Sequence, residues 1–192
     1  MDKKKWDLMT IDDFNHLLQG ERGFYFEGRW AYYSEVLKLV GESDCESVIE
    51  MGPGPVPIVK NGDIILNPLD DQFGKPAFDC GQTYVFDGTV SPWPIADKQY
   101  DLFIALQVWE HLDNKQTRAF REVMRIAKRA VLSFPYHWDG GEEKPSHRAH
   151  RDIDRDLIDD WTLHIPPTKT IEIPRTGPLF AQGPRLICYW EF

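Results

Sequence analysis

The sequence predicts an α/β fold: seven strands in a mostly parallel sheet flanked by helices, with the last strand antiparallel. Three observations predict it. Short apolar runs at residues 47–51, 63–66, 83–86, 102–106 and 130–134 each close on Gly, Pro or a polar residue, as buried strands do. The clearest amphipathic stretch, residues 114–128, lies between the fourth and fifth runs and gathers Ala119, Phe120, Val123, Met124 and Ala127 on one face. Strand, helix and strand in that order make a right-handed crossover in a parallel sheet. Two later runs, 168–173 and 186–191, alternate in polarity and are close enough in sequence to pair antiparallel at the sheet edge.

The remaining elements follow from local chemistry. Thr10 is an N-cap with Asp12 and Asp13 in the first turn, and Phe14, Leu17 and Leu18 recur at helical spacing up to Gly20. A second helix is expected over 30–40, closing at Gly41, with Tyr32, Tyr33, Val36, Leu37 and Val40 as its buried stripe. Residues 136–151 are polar and rich in His and Gly, the composition of a long loop, and a short helix over 154–161 follows.

At 192 residues the chain can bury about 70% of its unfolded surface, so one compact domain over 1–192 is expected. Asp and Glu number 31 against 22 Lys and Arg, a formal charge of -9 that repels duplex nucleic acid on average. The expected partner is therefore a small molecule and not nucleic acid. Cys45, Cys80 and Cys188 are too few and too widely spaced for a disulfide framework or a metal clip, and read as reduced thiols in a cytoplasmic protein. No run approaches the roughly 20 apolar residues of a membrane span, so no membrane partner is expected.

The sharpest local signal is SVIEMGPGPVPIV, where a strand reaches Glu50 and turns through Gly52-Pro53-Gly54 at its carboxyl end. Ligands of open α/β sheets bind at such ends. A nicotinamide site requires G-x-G-x-x-G, but Pro57 holds the third position, and Pro53, Pro55 and Pro57 each lack a backbone donor for phosphate. A ligand with a cationic amine and a ribose fits better, because Glu50 offers a carboxylate and the glycines permit close approach. A plain tight turn remains the alternative.

Further along, the segment YVFDGTVSPWPIADKQYDLFIALQVWEHLDN carries an acid at Asp87, the Pro92-Trp93-Pro94 link, the strand entry at Tyr100-Asp101-Leu102 and the exit Gln107-Val108-Trp109-Glu110-His111. Together with the glycine loop it resembles the class I S-adenosylmethionine-dependent methyltransferases of the type 11-like branch. Members of that branch read D-x-x-x-L-P-F-x-D-x-x-F-D-x-V followed by E-H-[LV]. The likeness runs over about residues 29–135 and implies a Rossmann-like sheet, S-adenosyl-L-methionine as cofactor and methyl transfer as activity. It divides the chain into an N-terminal helical cap (1–42), a cofactor-binding half (43–135) and a substrate loop with terminal strands (136–192). By the resemblance, Glu50, Gly52 and Gly54 hold the methionyl end, Asp87 and Gly88 meet the adenine, Gln107 lies near the sulfonium, and His111 is the histidine of the exit. Asn67 stands where the family has the acid that grips the ribose, with Asp70 and Asp71 close behind; Val56 replaces the third loop glycine. The helices flanking the second strand are shortened to single turns, and RIAKRAVLSFPY lacks the family's Gly-Gly turn.

Methyl transfer requires alignment of a nucleophile and removal of its proton. His111 and His147 are the candidate bases, with a structural tie as the alternative for His111 and a solvated loop for His147 and His150. No metal is expected, although HRAHRD with Asp152 is a weak ligand set. Arg118, Arg121, Arg125 and Lys128 fall on one helical face and read as solvated, whereas Arg148, Arg151 and Arg155 suggest an anionic acceptor. Among the aromatics of 24–33, Tyr32 and Tyr33 are the candidates for ligand contact, the rest being core. The expectation is a methyltransferase acting on an O or N atom of a small, anionic metabolite. The alternative is a non-catalytic cofactor- or partner-binding module that keeps the fold.

Overall fold

The computed structural model describes residues 6–68, 76, 78–137, 152–178 and 182–192. Three helices come first: α1 (Ile11–Gln19), α2 (Gly23–Phe26) and α3 (Trp30–Glu42). Then follow β1 (Val48–Met51), β2 (Asp63–Leu66), β3 (Thr83–Val85), β4 (Leu102–Leu106), a 3-10 turn at Trp109–His111, α4 (Gln116–Ile126), β5 (Arg129–Pro135), α5 (Arg155–Trp161), β6 (Lys169–Ile173) and β7 (Arg185–Glu191). The sheet order is β3-β2-β1-β4-β5-β7-β6. Strands β1 to β5 run parallel, and β7 is antiparallel to both of its neighbours.

Burial explains the sequence pattern. Every residue of β1 is buried, and so are most of β4 and β5, because helices cover both faces of the sheet there. One core lies between the sheet and α4 and α5, and a ladder of rings runs through it: Trp93 on Phe103, Phe103 on Trp109, Trp109 on Phe120 and Phe120 on Trp190, at centroid distances of 5.3–6.5 Å. The other core lies beneath α1 and α3, where Phe14, Tyr32, Val36 and Val40 meet Ile104, Val131 and Ile187. Among the described residues, no helix is long and apolar enough to cross a membrane.

Three local expectations change. Helix α3 passes through Gly41 and ends at Ser43, which turns extended and donates both its N–H and its hydroxyl to carbonyls of the last turn. The connections around β2 hold no helical turn at all among the described residues; the face they leave is covered by the N-terminal segment, which pairs Leu8 with Val59 and gives Met9 N–H to Ile58 O. Arg125 is not solvated. Its guanidinium bridges Glu122, Asp97 and the carbonyls of Trp93 and Ile95, clamping the segment that leads into β4.

Lys98 compensates for the missing Gly-Gly turn. Its ammonium caps α4 by donating to Met124 O and Ala127 O at 2.7 and 2.8 Å, so Ala127 can turn extended and β5 start two residues later.

Phe120, fully buried, touches two ladder rings, Trp109 and Trp190, and the ring of Phe192. Phe120→Ala is expected to lower the unfolding free energy by about 3–5 kcal/mol, measured by urea denaturation.

Candidate active site

The glycine turn sits where β1 ends. Gly52 has φ of +62°, and a Cβ there would lie 2.9 Å from Val108 Cγ2, so conformation and space both demand glycine. Gly54 shares the positive φ (+66°), but a Cβ built on it meets nothing within 4 Å. That open space is one wall of a cavity of about 360 Å³, within the range of small-molecule sites.

The cavity runs along the carboxyl ends of β1, β2 and β4. Gly52 and Gly54 border it, as do Asn67, Gly88, Gln107 and His111, six of the residues singled out from sequence. Gly88 is tight, since a Cβ would come within 3.0 Å of Met51 Cε. Gln107 holds the left-handed conformation at φ of +57°, unusual for a side chain of its size, and is fixed by its Nε2 donating to Ser133 Oγ on β5 at 3.1 Å.

Glu50 and Asp87 do not line the cavity. Glu50 is buried beneath the turn, where its carboxylate accepts the Ile58 N–H at 2.7 Å and so pins the returning chain. Burial pushes it up to about 8, against the lowering effect of the Ile58 and Val59 N–H groups. Asp87 lies between the lining residues Phe86 and Gly88, and one of its oxygens accepts the Thr89 N–H. Its other oxygen has no hydrogen-bond partner among the described residues.

His147, His150, Arg148, Arg151, Asp70 and Asp71 lie outside the described residues. Arg155 opens α5, away from the cavity, with Glu172 at 3.6 Å. Among the described residues no three His, Cys, Asp or Glu side chains are grouped to hold a metal. Of the two tyrosines expected to contact ligand, Tyr33 lines the cavity and Tyr32 lies behind it. Tyr25 and Arg29 line it as well and were missed. Their signal was an arginine embedded in an aromatic helical stretch, where a solvated residue has no place.

No protein-family model matches the sequence, and no curated protein does. Solved structures do. The S-adenosylmethionine-dependent methyltransferase from Thermotoga maritima superposes with a TM-score of 0.61 at 12% identity, over 92% of this chain and 96% of that one. The methyltransferase domain of a bacterial Hen1 (CtHen1) gives 0.60 at 12% identity, over 85% and 99%. The fold is that of the class I S-adenosylmethionine-dependent methyltransferases. The small RNA methyltransferase HEN1 shares this methyltransferase fold, with a TM-score of 0.56 at 12% identity over 83% of this chain and 24% of that one. Its presence among the neighbours corrects the exclusion of nucleic acid: a net charge of -9 is a sum over the whole surface and does not describe the mouth of one cavity.

Glu50 gives the site a testable pH dependence. Between its ordinary value near 4.5 and about 8, the unfolded chain has released a proton that the folded chain keeps. Stability therefore falls as pH rises through that window, and the whole penalty is present above 8. Glu50→Gln keeps an oxygen for Ile58 N–H but does not titrate; its melting temperature is expected to gain several degrees on the wild type between pH 5 and pH 9. A constant difference across that range would refute the assignment.

Proposed function

We propose that the chain is an S-adenosylmethionine-dependent methyltransferase that alkylates an O or N atom of its acceptor. One observation carries this reading: a single cavity joins the Gly52–Gly54 turn, Asn67 at the end of β2, Gly88 after β3 and Gln107 after β4. These are the positions the methyltransferase resemblance assigns to the methionyl, ribose, adenine and sulfonium parts of the cofactor. The residues fit that group. Glycine leaves room at position 54, Asn67 can both accept and donate to ribose hydroxyls, and the free oxygen of Asp87 can receive an exocyclic amine at the rim.

When bound, the cofactor supplies a methyl group on a sulfonium, open to in-line attack. What the chain supplies is position and a proton acceptor. Gln107 is locked by Ser133, so the end of β4 presents a fixed wall. His111, exposed on the same cavity, can take the proton from an acceptor hydroxyl or amine, as imidazole does near neutral pH.

Calorimetric titration with S-adenosylmethionine and S-adenosylhomocysteine is expected to show micromolar binding, with a loss of at least tenfold in Gly54→Val, which fills the open space. A folded wild type that binds neither compound would leave a partner-binding module with this fold as the better reading. With an acceptor in hand, His111→Ala is expected to lower turnover by about 10²–10⁴-fold while cofactor affinity stays within a few-fold of wild type. Unchanged turnover would remove His111 from the chemistry.

A further inference from the structure

The polar face of α4 departs from the usual pattern of a surface helix. Lys115 holds the N-cap position without a capping hydrogen bond, and no acid stands in the first turn, where the helix dipole favours one. Arg118 and Arg121 follow at intervals of three, so like charges lie one above the other on a single ridge and repel. All three are exposed, and none makes a side-chain hydrogen bond or ion pair among the described residues. The helix's only acid, Glu122, is buried and held by Arg125, the Ser91 hydroxyl and the Trp93 N–H. Arg125 and Lys128, the remaining cations of that face, are engaged by Asp97, Glu122 and Asp101.

Such a row costs helix stability, and it stands on a chain whose formal charge is -9. A local rule broken in this way marks a surface kept for something other than the fold. Its place shows what that is. Lys115 follows closely on His111 and Leu112, which both line the cavity, and its N–H donates to Leu112 O at 2.7 Å. From there the ridge leads about 9 Å along the helix axis to Arg121, at the usual rise per residue. A small acceptor seated in the cavity does not span that row, whereas a chain molecule does. On the side of α5, Thr117 Oγ1 donates to Asp160 O at 3.3 Å, and the carboxylates of Asp159 and Asp160 are engaged by His164.

We propose that the Lys115, Arg118 and Arg121 ridge binds a single-stranded nucleic acid and leads one of its nucleotides to the cavity as the methyl acceptor. A phosphodiester backbone carries one negative charge per nucleotide and meets a row of cations in succession, while Phe26 and Tyr33 line the cavity with rings on which a base can stack. An acidic peptide would satisfy the cations but brings no base to that aromatic wall. A duplex is disfavoured, because the cations form one row on a chain that is acidic as a whole. The proposal rests on the methyltransferase reading and names the acceptor class for it.

The test follows the fluorescence anisotropy of labelled random-sequence RNA and DNA single strands of about 12 nucleotides. Wild type is compared with the double variant Arg118→Gln/Arg121→Gln and with Lys38→Gln/Lys169→Gln, which removes the same charge from exposed sites elsewhere. The arginine variant is expected to lose at least tenfold in affinity, with a plot of log K against log salt shallower by about 1.4 for two lost phosphate contacts. The lysine variant stays within about twofold of wild type. Because only repulsion is removed from α4, the arginine variant keeps its S-adenosylhomocysteine affinity and melts no lower than wild type. In methyl transfer from labelled S-adenosylmethionine to the strand, it raises KM at least tenfold while kcat stays within a few-fold. Equal losses in both double variants, strand binding no tighter than that of polyglutamate, or a bound strand that takes up no methyl from the cofactor-loaded enzyme would each overturn the proposal, as would an arginine variant that melts several degrees lower, since the cations would then be structural. A wild type that binds the strands but neither S-adenosylmethionine nor S-adenosylhomocysteine would instead overturn the methyltransferase reading and leave the ridge as a nucleic-acid surface.

Discussion

Strands β1 and β2 are parallel neighbours joined without a helix, and most of the site follows from that constraint. Residues 52–62 must leave the carboxyl end of one strand and re-enter at the amino end of the next, with little chain to cover the sheet on the way. The buried Glu50 carboxylate makes the return possible by holding Ile58 N–H inside the protein. The N-terminal segment then supplies the missing cover: Leu8 pairs with Val59, Lys60 bonds to Asp13 at the start of α1, and Val56, Ile58 and Val59 join the core beneath α1 and α3. Because these N-terminal elements stand in for a crossover helix, Tyr25, Arg29 and Tyr33 reach the cavity mouth.

The two sides of the sheet divide the work. The ring ladder from Trp93 to Trp190 and the Arg125 clamp make a stiff floor on the side of α4, and the 3-10 turn that presents His111 stands on it through Trp109. The opposite side carries the charged and hydroxylated groups around Arg29. Tyr25, Arg29 and Tyr33 thus line the cavity from a part of the chain distant in sequence from the ladder.

The central strands were legible because burial on both faces leaves a continuous apolar run, as in β1, β4 and β5, and α4 because its apolar face repeats at helical spacing. The antiparallel end was legible from the short interval between β6 and β7. Side chains with long-range partners were not. Glu50 looked like a ligand group because Ile58 is not visible as its partner until the loop folds back, and Arg125 looked solvated because Trp93 O lies 32 residues away. Arg29 escaped notice for a related reason: nothing in its neighbours states that Tyr25 and Tyr32 converge on it across a bend between helices.

Helix α3 is made before every strand of the sheet but packs on Val131, Ile173 and Ile187, which belong to β5, β6 and β7. Its buried stripe of Tyr32, Tyr33, Val36 and Val40 therefore has no complete surface to rest on until β5, β6 and β7 have been made. Contacts so distant in sequence slow folding by the entropy of closing long loops. The roof of the cavity is thus synthesised before the sheet it rests on and settles only once that sheet is made, and a nascent chain halted before β7 would display that aromatic stripe to any chaperone that reads exposed apolar surface.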